Sequence, residues 1–176
     1  MRTEIWQGGS LDLQAQRRLF EQYGERLYRI AYRYLGDRMA AEDATSEAFV
    51  NIFGGIAEQE FAHRNLFEAW IRRIVINQAL ERLRRQKRWQ QERDLPMVQS
   101  RDGEEDVLAM LSLQEVMRLI KRLPKGYRTI IQLYVFDGFT HADIAKALGI
   151  SVGTSKSQLN KARSYLKRQL KKANSV

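Results

Sequence analysis

The 176-residue chain contains no cysteine and only two histidines. Disulfides and thiolate metal sites are therefore excluded, and a reducing cytosol is the expected compartment. His63 and His141 lie far apart in the sequence, and no metal-binding spacing such as HExxH occurs. No apolar run approaches the roughly 20 residues that span a bilayer, and the N-terminus lacks the apolar core of a signal peptide. We expect a soluble cytoplasmic protein that is not itself embedded in a membrane and needs no metal or cofactor.

Proline is almost as scarce, since Pro96 and Pro124 are the only two. No segment alternates convincingly at the period of a strand, whereas apolar residues recur three and four positions apart over long stretches. These patterns predict an all-α protein with seven helices. Their approximate bounds are 11–34, 39–53, 66–93, 107–123, 126–136, a short helix that Thr140 caps, and 151–172. We expect Gly36 to stop the first helix, and Thr140 and Asp143 to form a capping box at the start of the short one.

A change in composition separates the first three helices from the last four. The stretch "DLPMVQSRDGEEDV" contains Pro96, Gly103 and several acids, and little that can pack in a core. We interpret residues 94–106 as a flexible linker. It would join two small helical domains, residues 1–93 and residues 107–176.

The net charge of +9 favours a polyanionic partner such as nucleic acid. Residues 144–176 hold eight Lys or Arg and no Asp or Glu. A capped helix, a turn at Gly149 and a last amphipathic helix follow one another there in the order of a helix-turn-helix. Leu159, Ala162 and Leu166 form the inward stripe, and the candidates for DNA contact lie at the helix start or outward: Gly153, Thr154, Ser155, Lys156, Gln158, Lys161 and Arg163. The alternative is a solvated cationic helix.

The third predicted helix contains the stretch "WIRRIVINQALERLRRQKR", which carries many arginines along an otherwise apolar sequence. The preceding stretch, "EFAHRNLFEAW", combines aromatic, basic and amide side chains of the kinds that stack on unpaired bases and bond to them. We assign Phe67 and Trp70 to the core. The exposed candidates are Phe61, His63, Arg64 and Asn65.

The second predicted helix has an acidic side, formed by Glu42, Asp43, Ser46 and Glu47. An acidic face within a basic protein suits a basic protein surface better than DNA. Capping of the helix start is the alternative explanation for such acids. It applies to Asp37, whereas Glu47 lies too far along the helix.

Together these motifs resemble bacterial RNA polymerase sigma factors of the extracytoplasmic-function (ECF) class. "AEDATSEAFVNIF" resembles the polymerase-binding signature of region 2, and "FEAWIRRIVINQALERLRRQKR" resembles the promoter-melting helix. "LPKGYRTIIQLYVFDGFTHADIAKALGISVGTSKSQLNKARSYLKRQL" resembles region 4. The motifs occur in the family's order over nearly the whole chain. The chain departs from the family at several positions: Ser155 where valine is common, Gln158 and Lys161 where arginine is common, and Thr45 and Ser46 where an apolar residue and glutamine are frequent.

The resemblance implies a transcription initiation factor that directs core RNA polymerase to promoters and assists melting, while the polymerase supplies the chemistry. The second helix would dock on the clamp coiled coil of the largest subunit through Glu42, Asp43, Ser46, Glu47, Phe49 and Val50. The loop at residues 61–66 would capture a flipped base of the minus-ten element, with Asn65 as a candidate for the pocket. The third helix would hold DNA through Arg72, Arg73, Asn77, Arg84, Arg85 and Arg88. Residues 153–163 would read the minus-thirty-five element.

The resemblance further implies a contact with the flap region of the polymerase and an anti-sigma factor, often membrane-anchored, that holds the protein inactive. No small-molecule substrate is expected. An autonomous helix-turn-helix regulator is an alternative, but it gives no role to the acidic helix. An RNA-binding or ribosome-associated protein is favoured by the charge alone. An enzyme such as a small nuclease lacks support, because the sequence shows no acidic metal cluster, P-loop or nucleophile–base pair.

Overall fold

The computed structural model describes residues 11–85 and 113–173, which form seven α-helices and no strand within those ranges. The all-α fold class is therefore confirmed. The chain divides into two compact units, residues 1–86 and 87–176. Three predictions fall outside the described residues: the extension of the third helix to Arg93, the linker at 94–106, and the start of the fourth helix at Val107.

Helix α1 of the N-terminal unit spans Leu13–Leu35. The Asp12 carboxylate caps its start by accepting a hydrogen bond of 2.6 Å from the amide of Ala15. The helix ends at Gly36, as predicted. The φ of this glycine is 69°, the left-handed conformation that a residue without Cβ adopts at little cost. The buried face of α1 includes Leu19, Tyr23, Leu27, Ala31 and Tyr34.

Helix α2 spans Arg38–Gly55, and the predicted cap at Asp37 is confirmed, since its carboxylate accepts a hydrogen bond from an amide of the first turn. A 3₁₀ turn, Ile56–Glu58, follows it, and helix α3 spans Arg64–Arg85. The three helices pack against one another in all three pairings. The predicted core residue Phe67 is fully buried between them.

The buried face of α2 consists largely of small residues. Ala41, Ala44 and Ala48 have no exposed surface. Small side chains permit a short distance between packed helices. The hydroxyl of Thr45, also buried, donates to the carbonyl of Ala41 at 2.7 Å, so its polar atom is satisfied within the helix. The helix is thereby seated closely on its neighbours, with Ile52 as its large buried anchor.

The C-terminal unit contains four helices: α4 is Leu113–Arg122, α5 is Lys125–Ile131, α6 is His141–Leu148 and α7 is Val152–Ala173. Pro124 separates α4 from α5, as predicted. Helix α7 packs against α4, α5 and α6. It is therefore the central element of this unit.

The fifth predicted helix is only partly correct, because Gln132–Phe136 continues α5 as a π-helical segment. The amide of Asp137 donates to the carbonyl of Gln132, five residues earlier, at 3.0 Å. The amide of Phe139 donates to the carbonyl of Leu133 at 2.9 Å. A π-helical turn widens the helix locally and shifts side chains from the 3.6-residue period. Apolar periodicity therefore gave the extent of this helix but not its geometry.

Helices α6 and α7 form the predicted helix-turn-helix. The predicted capping box is present: the Thr140 hydroxyl accepts from the amide of Asp143, whose carboxylate accepts from the amide of Thr140. Helix α6 ends at Gly149, whose φ is 66°. Helix α7 then begins, with the Ser151 hydroxyl accepting from the amide of Thr154 at 2.9 Å. Across residues 11–85 and 113–173, no helix combines the length and the apolar character needed to span a membrane.

Candidate polymerase and nucleic-acid surfaces

The acidic surface of α2 consists of Glu42, Asp43, Ser46 and Glu47, and all four are exposed. The prediction that these residues share an accessible side of the helix is confirmed. Glu42 forms an ion pair with Arg38 one turn earlier, at 2.8 Å. The hydroxyl of Ser46 donates to the carbonyl of Glu42 and so adds no charge to the surface.

Arg82 of α3 spans two acids of this surface. Its Nη2 lies 2.7 Å from the Glu47 carboxylate, and its Nη1 lies 3.3 Å from that of Asp43. The Arg82 side chain is 24% exposed, whereas Glu47 and Asp43 are 51% and 64% exposed. The two carboxylates, one helical turn apart, would otherwise repel each other. The bridge therefore holds them side by side while leaving them accessible.

The two apolar residues predicted for the polymerase surface, Val50 and Phe49, differ in their exposure. Val50 is 69% exposed and extends the acidic surface along α2. Phe49 is 3% exposed, and its ring lies 4.8 Å from that of Phe20 and 5.5 Å from that of Phe53. Its assignment to an exposed surface was wrong. The reason is its position four residues after buried Thr45 and three before buried Ile52, on the inner stripe of α2.

The stretch between α2 and α3 was predicted to be a loop through Leu66, but α3 already begins at Arg64. Arg64, Asn65 and Leu66 therefore lie on the first turn of a helix, and all three are exposed, as is His63. Exposed amides at a helix start, together with basic and amide side chains, suit an anionic ligand. The correction thus changes the geometry of this candidate surface rather than its accessibility.

Phe61 is half-buried and anchors the loop to α3. Its ring lies 5.4 Å from Phe67 and 5.3 Å from Trp70. The predicted burial of Phe67 is confirmed, whereas Trp70 is only half-buried. Phe61 therefore serves first as a packing residue, and only part of its ring is accessible to a base.

A charged cluster fixes the start of α3 on α1. The Glu68 carboxylate accepts from Arg26 at 2.8 Å and from Arg64 at 2.9 Å, and Tyr23 donates to it at 3.3 Å. The hydrogen bond from Arg26 is the main cause that lowers the pKa of Glu68, and the bond from Arg64 adds to it. Burial raises the pKa of the Tyr23 phenol. Arg64 is thus oriented by an ionised carboxylate while one side of it remains exposed.

Further along α3, Arg73, Asn77 and Arg84 are exposed, and their spacing of four and seven residues places them on one face. Arg72 is half-buried. Arg85 is exposed and pairs with Glu81 at 2.6 Å. Arg88, the last candidate of this set, lies outside the described residues. The described part of α3 therefore presents a basic face, although not every predicted cation is equally accessible.

In α7, Lys156 and Arg163 are exposed and lie seven residues apart on one face. Gln158 and Lys161 are half-buried. Gly153 is exposed and Thr154 half-buried at the helix start. The predicted inward stripe is confirmed, since Leu159, Ala162 and Leu166 are buried.

Ser155 does not point outward, and that prediction was wrong. The residue has no exposed surface, and its hydroxyl lies 2.9 Å from Nδ1 of His141 on α6. It stands four residues before Leu159 and seven before Ala162, so it continues the inward stripe by one turn. This spacing alone predicts an inward position, but Ser155 was assigned to the outward face because its side chain is polar.

Family models match both units. The model described as Sigma-70 region 2 matches residues 19–89, and that described as Sigma-70, region 4 matches residues 113–166. The ECF RNA polymerase sigma factor SigW of Bacillus subtilis is 31% identical over 161 residues, which cover 85% of this chain and 85% of SigW.

The chain belongs to the ECF family of RNA polymerase sigma factors.

Members of this family are transcription initiation factors that direct RNA polymerase to promoters and are not enzymes. The predicted family and general function are therefore confirmed. The ECF sigma factor SigE of Mycolicibacterium smegmatis is 29% identical over 162 residues, which cover 89% of this chain and 62% of SigE. This chain therefore spans less than two thirds of the length of SigE. The sigma factor RpoE of Bartonella quintana, solved in complex with the anti-sigma factor NepR, is similar at 23% identity over 88% of this chain and 96% of that one, with a TM-score of 0.48.

The region 2 match contains α2 and α3, and the region 4 match contains α6 and the part of α7 up to residue 166. Two residues with structural roles at these sigma-factor surfaces were missed from the sequence. Arg82 looked like one more cation of a basic helix, and His141 like an isolated histidine. Their partners are 35 or more and 14 residues away, so only the packed fold brings them together. Within the described ranges, no group of His, Asp or Glu is placed to hold a metal ion.

Proposed function

We propose that this sigma factor binds core RNA polymerase through α2, on the clamp coiled coil of the largest subunit. The contact residues would be Glu42, Asp43, Ser46 and Glu47, with Val50 as the apolar member. Support comes from the exposure of all five and from the contrast between this acidic surface and the +9 charge of the chain. Electrostatic complementarity would favour a basic partner surface. Phe49 would act indirectly, by packing α2 in place.

We propose that the start of α3 and the preceding loop capture an unpaired base of the minus-ten element. His63, Arg64 and Asn65 are the exposed members, and Phe61 offers part of a ring for stacking. The face of α3 with Arg73, Asn77 and Arg84 would hold the backbone of the DNA, together with Arg72, Arg85 and Arg88. Opening costs a few kcal/mol per unstacked base, and capture of bases offsets that cost.

We propose that α7 reads the minus-thirty-five element from the major groove. Its N-terminal residues, Gly153 and Thr154, would approach the phosphates, and the side chains of Lys156, Gln158, Lys161 and Arg163 would contact bases or backbone. The single observation that best supports the whole proposal is the presence of an acidic surface on α2 and a basic helix-turn-helix on the same chain. The acidic surface of α2 suits a basic protein partner, and the basic helix-turn-helix suits DNA.

Two further partners are proposed from family membership. The C-terminal unit would contact the flap region of the polymerase. An anti-sigma factor would cover the polymerase-binding surfaces and hold the protein inactive in the cytoplasm, at the inner membrane face where that factor is membrane-anchored. The complex of RpoE with NepR gives a precedent in another sigma factor.

The test is to mix the purified protein with bacterial core RNA polymerase and to follow co-elution by size-exclusion chromatography. We expect a stable complex. The double variant Lys156→Ala, Gln158→Ala should still co-elute and should bind promoter DNA more weakly as holoenzyme. No complex, combined with tight binding of duplex DNA by the protein alone, would instead identify an autonomous regulator.

A further inference from the structure

A partly buried hydrogen bond joins the two helices of the helix-turn-helix. His141 is the first residue of α6, and Ser155 lies in the first turn of α7. The distance from His141 Nδ1 to the Ser155 hydroxyl is 2.9 Å, and Ser155 has no exposed surface. The contact therefore ties the beginning of one helix to the beginning of the next.

The hydroxyl needs this partner. Burial of a hydroxyl without a hydrogen bond costs about 1–3 kcal/mol. Ser155 stands on the stripe that continues with Leu159 and Ala162, where an apolar side chain would pack with no directional demand. The Ser155 hydroxyl instead forms a hydrogen bond, and the strength of a hydrogen bond depends on its distance and angle. Its geometry therefore restricts the position of α7 relative to α6 more tightly than apolar packing does.

The imidazole of His141 is itself held in place. Its ring stacks on that of Tyr134, with centroids 4.5 Å apart and planes 24° apart. Tyr134 belongs to the π-helical segment that precedes α6. Burial is the main cause that lowers the pKa of His141, and the positive charges of Lys156 and Arg163 add to it. The lowered pKa favours the neutral form of the ring, which contacts Tyr134 on one side and Ser155 on the other.

We propose that His141 is a positioning residue for promoter recognition: through Ser155 it sets the rotation and depth at which α7 presents Lys156 and Gln158 to the bases. Lys156 directly follows Ser155, and Gln158 lies three residues after it, so both are carried by the turn that the hydrogen bond fixes. Hydrogen bonds to base edges depend on geometry at this scale. The inference rests on the proposed reading of the minus-thirty-five element by α7.

The test uses full-length protein assembled with core polymerase. Promoter duplexes randomised over the minus-thirty-five element and selected with wild-type holoenzyme supply a preferred sequence. Affinity is then measured for that duplex and for one with a scrambled element. We expect Ser155→Ala and His141→Phe each to lower the preference by about tenfold, the loss of roughly one base contact, with little change on the scrambled duplex. The double variant should lose no more than either single variant, because both remove the same bond.

A conservative variant separates positioning from general stability. In His141→Asn the side-chain amide can occupy the place of Nδ1, so we expect it to recover most of the preference that His141→Phe loses. A second measurement is independent of DNA: the ¹⁵N shifts of the His141 ring in the free protein should change on Ser155→Ala. Variants that keep the preference, or that lose affinity equally for both duplexes, would overturn the inference while leaving the sigma-factor function intact. If the wild type forms no complex with core polymerase, the proposed function fails first and the inference fails with it.

Discussion

Reversal of one charge on α2, Glu47→Lys, should weaken polymerase binding and leave the N-terminal unit folded. The structural cost is set by the Arg82 bridge. The Glu47 carboxylate is half exposed, so the lost ion pair contributes about 0.2–1 kcal/mol, and the new like charges add repulsion of similar size. Arg82 keeps Asp43 as a partner at 3.3 Å. The sum is about 1 kcal/mol, a small part of the stability of a domain.

The assay has two parts, thermal denaturation and affinity for core polymerase. A loss of about 1 kcal/mol lowers the melting temperature of a unit of this size by about 4–8 °C. Loss of a charge from a close pair in an interface costs about 2 kcal/mol or more, so we expect the Kd for core polymerase to rise by at least about 30-fold. Glu47→Gln, which removes the charge without reversing it, should give an intermediate Kd.

The control variant is Glu25→Lys, which makes the same change in net charge on α1. Glu25 is 77% exposed and pairs with Arg29, one turn later on the same helix. It should melt near the wild type and bind core polymerase with nearly the same Kd. If Glu47→Lys binds as tightly as Glu25→Lys, the acidic surface of α2 is not the polymerase contact and the reasoning is refuted.

Three other perturbations test the fold. Phe67→Ala empties the centre of the N-terminal unit and should cost about 3–5 kcal/mol, seen as a large fall in its melting temperature; a change below 1 kcal/mol would contradict its central role. Thr140→Ala removes half of the capping box and should cost about 1 kcal/mol, seen as faster hydrogen exchange at the start of α6, whereas unchanged exchange would show that the cap is not needed. The lowered pKa of His141 means that the unfolded chain binds a proton at this residue more readily than the folded chain does. The contribution of His141 to the free energy of unfolding is therefore fully present above pH 6.5 and falls as the pH drops below it. Hydrogen exchange in α7 should follow this trend in the wild type and not in His141→Phe.

The sequence predicted those features that depend on neighbours along the chain. Gly36 stops α1 and Asp37 caps α2 because these effects need only backbone conformation and one local hydrogen bond. The capping box at Thr140 and Asp143 was predicted for the same reason. Helix positions and the division into sigma regions followed from local periodicity and motif order.

Features that depend on packing between helices were missed or misassigned. Ser155 was placed on the surface because its side chain is polar, and Phe49 was placed in the polymerase contact by the family resemblance, although helical spacing puts both on inner stripes. The π-helical segment, Gln132–Phe136, has no signature in apolar spacing, because its register comes from how the following chain packs. The pairing of Arg82 with Asp43 and Glu47 joins residues far apart in the sequence, so no local pattern predicts it.

The small-residue face of α2 has a mechanical consequence. Alanine has no rotamers, so Ala41, Ala44 and Ala48 offer no alternative side-chain arrangement into which α2 could slip on its neighbours. Arg82 adds a tie from α3. We therefore expect α2 and α3 to keep one relative position when a protein binds α2. The orientation in which α2 is bound would then also set the orientation of α3.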